Sequence, residues 1–342
     1  MAGSLRRLLD FGGTLHRNTG RDSDVNNSPN VSVVIPTYNY GRFLPEALAS
    51  VLGQTHEDLE VIVVDDGSTD NTPDVLASVK DPRIKSVRTT NRGDSAARNT
   101  GLSMAHGKFI AFLDADDRWR PNKLELQLQV LNAEPEVGFV FGDFVRFDAN
   151  GVFPETQFSF VPGFDKLETR PSAGGTGKVL KQDSFVALAP LDPSPVWLQA
   201  SLFRAQCVAG ICAPEGVRLA QDLYYLLLVY ARGLSAAFIE EPLAEVRRHG
   251  SNSYGAASDM LMPIVNVLTM ILKQNLSSQQ ARILRRRLAD AWAAVGHHEF
   301  WRGKPLKTTL AYARALGYPG RRWNALAHIL ASPIAPLFPR PR

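Results

Sequence analysis

The run FIAFLDADD at residues 109–117 combines residue types that can do chemistry. Five apolar residues, Phe109, Ile110, Ala111, Phe112 and Leu113, break directly into three carboxylates, Asp114, Asp116 and Asp117. Carboxylates crowded at a strand end repel one another, which costs stability unless a cation lies among them. Hard divalent ions such as Mg²⁺ and Mn²⁺ take oxygen ligands, usually a carboxylate or two plus oxygens of a substrate phosphate. One reading is therefore a metal that holds a diphosphate. The other is an acidic turn capping a helix that begins near Pro121. Cys207 and Cys212 are the only cysteines, so no Cys/His cluster offers a zinc alternative.

The elements that would position these carboxylates can be read upstream. VSVVIP, from Val31 to Pro36, is a short and nearly all-apolar run, as expected of a strand buried on both faces of a parallel sheet. Thr37, Tyr38 and Asn39 make a polar turn, and residues 43–52 space apolar side chains at helical intervals. A second buried strand over residues 59–64 stops at Asp65-Asp66-Gly67-Ser68, and a helix over 72–79 follows with Thr69 or Asn71 as its cap. A weak strand (84–87), a helix (96–105) and a fourth strand (108–113) complete the alternation. Four strand–helix alternations predict an α/β unit with a mainly parallel sheet. Ligands of such sheets bind beyond the carboxyl ends of the strands, so Thr37-Tyr38, Asp65-Asp66 and Asp114-Asp116 are expected in one crevice.

Three segments in order, VSVVIPTYNYGRFLPEALASVLGQT, VIVVDDGSTDNT and GDSAARNTGLSMAHGKFIAFLDADD, resemble the nucleotide-binding half of a family 2 glycosyltransferase with the GT-A fold. The resemblance runs from about Val31 to Asp117, and past residue 120 only fragments continue, LAQDLYYLLLVYARG and VRRHGSNS. It implies a Rossmann-like, mainly parallel sheet flanked by helices, and an inverting transfer of a sugar from a nucleoside diphosphate sugar with Mn²⁺ or Mg²⁺.

The resemblance also implies roles for single residues. Pro36, Thr37, Tyr38, Asp65, Arg98 and Asp114 fall at nucleotide-binding positions. Asp65 matches the residue that accepts the N3 proton of uracil or thymine, which favours UDP- or dTDP-sugars. Asp116 matches the direct metal ligand, with Asp114 beside it on the ribose or on metal-bound water. Asp117 reads as the cap of the Pro121 helix, Asp66 as a turn residue bonding the backbone of Gly67-Ser68. Arg98 either contacts phosphate or ribose, or braces the acidic crevice. The general base matches Asp222, although Gln221 stands where the family has Glu; a helix-start acid favoured by the macrodipole is the plainer role. Arg247 and His249 match an R-x-H segment at the diphosphate.

Length and charge frame the rest. The expected division is a flexible segment (1–29), a GT-A domain (30–255, donor half 30–120 and acceptor half 121–255) and a basic helical C-terminal region (256–342). Between residues 281 and 342 twelve Lys or Arg stand against Asp290 and Glu299, a net of about +10, whereas the whole chain carries +4. Helices are expected over 259–274, 277–300, 305–316 and 321–330. They read as a cap packed on the catalytic domain or as a surface for anionic lipid near a lipid-linked acceptor. The stretch 151–196 reads as irregular, an acceptor loop or lid. Its PSAGGTGK lacks the phosphate-loop spacing, because Val179 follows Lys178. Residues 196–203 read as a strand leading to the base segment, with Trp197 shaping the acceptor site.

The start of the chain lacks the apolar core of a signal peptide, and no apolar run reaches the ~18 residues of a membrane span. The expected location is cytoplasmic, with peripheral contact at the inner membrane face. Nucleic acid is not an expected partner, for no such module is recognisable. The expected activity builds cell-surface polysaccharide on a glycan or lipid-linked acceptor. The competing classes are a sugar-phosphate nucleotidyltransferase and a non-catalytic nucleotide-binding relative.

Overall fold

The computed structural model describes residues 29–215, 219–250 and 257–318. The expected N-terminal flexible segment lies almost wholly outside the described residues, and so does the expected helix over 321–330.

The donor half is built as the alternation demands: β1 (Val31–Thr37), α1 (Leu44–Leu52), β2 (Leu59–Asp65), α2 (Thr72–Ser78), β3 (Ile84–Arg88), α3 (Asp94–Met104) and β4 (Phe109–Phe112). β1 and β2 are buried along their whole length, which accounts for their Val- and Ile-rich sequences. At the start of α2 Asn71 makes no side-chain cap bond and Thr69 is bonded to Asn39 instead; Asp70 Oδ1 accepts from the Thr72 N–H at 2.9 Å. There follow β5 (Arg118–Trp119), α4 (Lys123–Ala133), the long β6 (Val137–Asp148), β7 (Gly151–Thr156), β8 (Thr169–Pro171), β9 (Lys178–Leu180) and α5 (Ser184–Leu188). Residues 151–196 thus hold three strands and a helix where sequence gave only an irregular stretch. β10 (Ser201–Arg204) is shorter than the strand expected over 196–203, because Leu198–Ala200 form a 3₁₀ turn. α6 (Ala205–Val208), α7 (Gln221–Tyr230) and β11 (Ser235–Arg247) complete the sheet-bearing part.

The strand order is β3-β2-β1-β4-β10-β6-β11-β9-β8, with β5 beside β11 and β7 beside β6. β3, β2, β1 and β4 are parallel, whereas β10 is antiparallel to both of its neighbours, β4 and β6. Thr37 sits opposite Asp65 in the β1–β2 register, and the Leu113 N–H reaches the Val34 carbonyl. The carboxyl ends of β1, β2 and β4 therefore share one edge.

Alternation along β1 divides two layers of core. Val31, Val33 and Ile35 pack with Leu44, Leu48 and Val51 of α1 and with Leu124 and Leu131 of α4. Val34 faces the opposite layer, with Phe112, Phe139, Phe203 and Tyr225. Three further helices, α8 (Leu261–Ile271), α9 (Ser278–Trp301) and α10 (Pro305–Leu316), match three of the four expected C-terminal helices closely. Ser277 and Gln280 form a reciprocal capping box at the start of α9. Val265, Leu268, Leu284, Leu288 and Trp292 belong to the same core as α7 and β6, so these helices are packed on the sheet-bearing part. No helix among the described residues is long and apolar enough to cross a membrane.

The close approach of α3 to β1 depends on Gly101. A Cβ there would lie 2.3 Å from Val34 Cγ1, and Val34 is fully buried. Gly101→Ala is expected to destabilise the protein by about 1–3 kcal/mol through overpacking. A fall in the urea midpoint at constant m-value would register it; an unchanged midpoint would mean that α3 lifts freely from the sheet.

Candidate functional site

The crevice begins with two stapled loops. Asn39 adopts a left-handed φ of 58°, a conformation Asn tolerates better than most residues, and its Oδ1 accepts from the Thr69 N–H at 2.7 Å. Ser68 Oγ accepts from the Asn39 N–H at 2.9 Å. The turn after β1 is thereby fixed to the turn after β2. Pro36 and Thr37 are buried in β1 itself, and Tyr38 projects with 40% of its surface exposed. Thr37 Oγ1 is buried without a hydrogen-bond partner among the described residues.

The turn bond expected of Asp66 is made by Asp65. Asp65, 1% exposed, accepts from the Ser68 N–H at 2.8 Å through Oδ1, and its Oδ2 lies 3.3 Å from Arg88 Nη1. Asp66 does not bond the Gly67-Ser68 backbone. Its carboxylate instead accepts from the N–H groups of Arg92 and Gly93, at 3.0 and 2.7 Å, and so secures the loop leading into α3.

The acidic strand end is held from three directions. Asp114 Oδ1 accepts from Arg98 Nη2 at 2.6 Å, while about a third of the Asp114 side chain remains exposed. Asp116 Oδ2 lies 2.9 Å from His249 Nε2. Asp117 corrects the expectation of a helix cap: its Oδ1 accepts from the Arg247 N–H at 2.8 Å and its Oδ2 from Gln199 Nε2 at 3.2 Å, while Asn122 stands at the start of α4. Burial raises the pKa of both Asp116 and Asp117. Asp114 adds to that rise at both sites, and His249 opposes it at Asp116. Such a pair of oxygen-bearing groups suits a hard divalent cation. No group of three or more His, Cys, Asp or Glu side chains fit to hold a metal occurs among the described residues.

Arg98 braces the acidic crevice, one of the two roles expected of it. It is 5% exposed, and its donors go to Asp114, to Gln221 Oε1 at 2.8 Å and toward Asp222 Oδ1 at 3.7 Å. Burial opposes its charge, yet Asp114, Asp222 and Asp94 together hold its pKa above the ordinary arginine value. Arg247, expected at the diphosphate, is likewise turned into the protein. Its Nε donates to the Asp116 carbonyl at 2.8 Å, Nη2 bonds Glu46, and the guanidinium lies over Phe147 at 4.3 Å. His249 remains at the crevice, its ring 4.6 Å from that of Phe43.

Asp222 stands in the first turn of α7, following Ala220, whose φ of 61° is unusual for a residue with a Cβ. The Leu198 backbone amide favours its ionised form. Burial pushes its pKa up to about 6, with Asp114 and Asp94 adding to the rise and Arg98 restraining it. A quarter of the side chain still meets solvent.

Several contributors escaped sequence reading. Asn99 grips the loop before α7 like a strand partner, donating to the Ala213 carbonyl at 2.8 Å and accepting from its N–H at 3.0 Å. Glu46 binds both Arg118 and Arg247, and these two bonds hold its carboxyl below the ordinary range despite burial. Asn99 had a signal in its place beside Arg98; Glu46 had none, because its partners lie at 72 and 201 residues' distance.

Comparison with known proteins agrees with this geometry. The profile described as Glycosyl transferase family 2 matches residues 32–184. A Bacillus subtilis protein, the putative teichuronic acid biosynthesis glycosyltransferase TuaG, is 32% identical over 222 residues, which are 64% of this chain and 79% of that protein. The Escherichia coli UDP-Glc:alpha-D-GlcNAc-diphosphoundecaprenol beta-1,3-glucosyltransferase WfgD is 39% identical over 36% of this chain and 48% of its own length. The crystal structure of S. aureus TarS 1-349 in complex with UDP-GlcNAc superposes with a TM-score of 0.62 at 19% identity, covering 90% of this chain and 86% of that one. It shares the GT-A arrangement of a central sheet flanked by helices. Matches to the first curated relatives span only 34%, 29% and 37% of their lengths. On the strength of the profile and the TuaG match, the chain belongs to glycosyl transferase family 2.

Proposed function

We propose that this protein is an inverting, metal-dependent glycosyltransferase that moves a sugar from a nucleoside diphosphate sugar to a hydroxyl of a glycan or lipid-linked acceptor. The observation that carries the reading is the single buried guanidinium of Arg98, which lies 2.6 Å from Asp114 and 3.7 Å from Asp222. Diphosphate-binding and base functions are thereby brought to one crevice at the carboxyl ends of β1, β2 and β4. Asp65 and Thr37 line the floor for the base and ribose, and exposed Tyr38 is placed to stack on the base. The Asp65 carboxylate accepts the imide N–H of uracil or thymine, which favours UDP- or dTDP-sugars. The WfgD match supports a lipid-linked acceptor, and the TuaG match supports a role in cell-envelope polysaccharide. Synthesis from such donors belongs at the cytoplasmic face of the membrane.

Asp116 and Asp114 would hold Mn²⁺ or Mg²⁺, with His249 beside Asp116. When bound, the cation neutralises charge on the departing diphosphate. Asp222 takes the acceptor hydroxyl proton as that oxygen bonds the anomeric carbon from the face opposite the leaving group. A carboxylate titrating near 6 is ionised at neutral pH yet basic enough to accept this proton. Arg98 keeps it ionised without removing its basicity.

Nucleotide-sugar transfer measured with and without Mn²⁺ tests the reading. Asp116→Ala is expected to abolish metal-stimulated turnover while the fold survives; normal Mn²⁺ stimulation would remove Asp116 from the metal site. Asp222→Asn is expected to lower kcat by several orders of magnitude with UDP affinity unchanged, because a base acts on the acceptor in the transition state. Substantial transfer by that variant would place the base elsewhere.

The raised pKa of Asp222 makes a separate prediction. Between pH 4 and 6 the unfolded chain releases this proton before the folded chain does, so ionisation of Asp222 lowers stability as pH rises through that window. Asp222→Asn removes the effect. The variant should be more stable than wild type by about 1–3 kcal/mol at pH 8, with the difference vanishing below pH 4. Equal urea midpoints at pH 8 would contradict it.

A further inference from the structure

Three consecutive backbone carbonyls, those of Gln199, Ala200 and Ser201, are each taken by a side chain from the segment that follows the acidic run. Trp119 Nε1 donates to the Gln199 carbonyl at 2.7 Å, Gln127 Nε2 to that of Ala200 at 2.9 Å, and Lys123 Nζ to that of Ser201 at 3.2 Å. The three side chains also support one another. Lys123 Nζ donates to Gln127 Oε1 at 2.8 Å and lies 4.0 Å from the centre of the Trp119 ring. Lys123 and Gln127 stand one turn apart on the same side of α4, and Trp119 reaches the same carbonyls from β5.

Lys123 and Gln127 are fully buried, and Trp119 is 4% exposed. A lysine at full burial with no carboxylate partner among the described residues is an unfavourable way to fill space. Burial pushes its amine well below the ordinary lysine range. A methionine or leucine would fill the same volume without that penalty, so the donors themselves call for an explanation.

The gripped turn supplies one. It touches both halves of the proposed chemistry: Gln199 Nε2 donates to Asp117 Oδ2 at the end of the acidic run, and the Leu198 backbone amide next to it helps to stabilise the ionised Asp222 carboxylate. We propose that Trp119, Lys123 and Gln127 form a positioning clamp for catalysis, fixing the 198–201 turn so that Asp222 stands correctly against the acidic strand end. None of the three touches the crevice carboxylates, so they are positioning rather than catalytic residues. The proposal rests on the reading of Asp222 as the base.

The test uses Lys123→Met, which keeps the length and removes both donors, and Trp119→Phe, which keeps a ring and removes the indole N–H. At a temperature where circular dichroism shows each variant fully folded, kcat should fall about 10- to 100-fold, as for a catalytic group displaced by about an ångström. Donor KM and UDP affinity should stay within about twofold, since the donor pocket is formed by other elements. Amide exchange over 198–201 should be at least about tenfold faster than in wild type. Turnover within twofold of wild type in both variants, or a loss shared between KM and UDP affinity, would overturn the clamp. If Asp222→Asn turned over normally, the base assignment would fall. That outcome would also overturn the clamp's catalytic role, whereas normal turnover of both clamp variants beside an inactive Asp222→Asn would overturn the clamp alone.

Discussion

Four carboxylates, Asp94, Asp114, Asp116 and Asp222, approach one another in this molecule, and the cation among them is the buried Arg98. Their assembly would otherwise be prohibitive. Like charges at short range drive protonation, which would remove the negative charge that the crevice presents. Arginine suits this place better than lysine, because its planar fork serves two partners at once and keeps its charge when buried. Here one Nη meets Asp114 and the other meets Gln221 and approaches Asp222. The glutamine that replaces the expected glutamate at 221 is intelligible in these terms. A neutral acceptor satisfies the guanidinium without adding another negative charge to a crowded group.

A second, separate set of ions fixes the rim. Glu46 on α1 binds Arg118 of β5 and Arg247 of β11, and Glu245 binds Arg118 and Arg120. Both Arg118 and Arg247 lie over the Phe147 ring. Helix α1 is thus tied to β11, the strand that runs into His249. Exposed ion pairs contribute little singly, but this set is partly buried, shares its partners and is anchored on an aromatic surface.

The donor half was legible because its logic is local. Each buried strand announces itself as a β-branched run, each turn as a polar break, and the strand ends follow from parallel pairing. Asp114 and Asp116 stood out for the same reason, as carboxylates at a strand end, whereas Asp222 was singled out only through the family resemblance. The roles of Asp66, Asp117 and Arg247 were not legible, because each depends on which distant backbone group arrives opposite it. Asp117 meets residues 82 and 130 positions away. The region 151–196 failed differently. Its strands are three to six residues long, β7 is largely exposed, and neither gives a hydrophobic period to read.

The aromatic layer beneath the base segment has a bearing on how the chain comes apart. Tyr225 and Tyr230 of α7 share a continuous core with Phe139 of the sheet and with Leu268, Leu284 and Trp292 of the C-terminal helices. Arg287 of α9, 7% exposed, reaches across to the Ala189 carbonyl at 2.8 Å. The sequence boundary near residue 256 is therefore not a mechanical seam. Removing the helices beyond it would strip the outer wall from α7 and wet the layer on which the base helix rests, so sheet and helices form a single cooperative unit, and the acidic crevice loses its support when the helices leave.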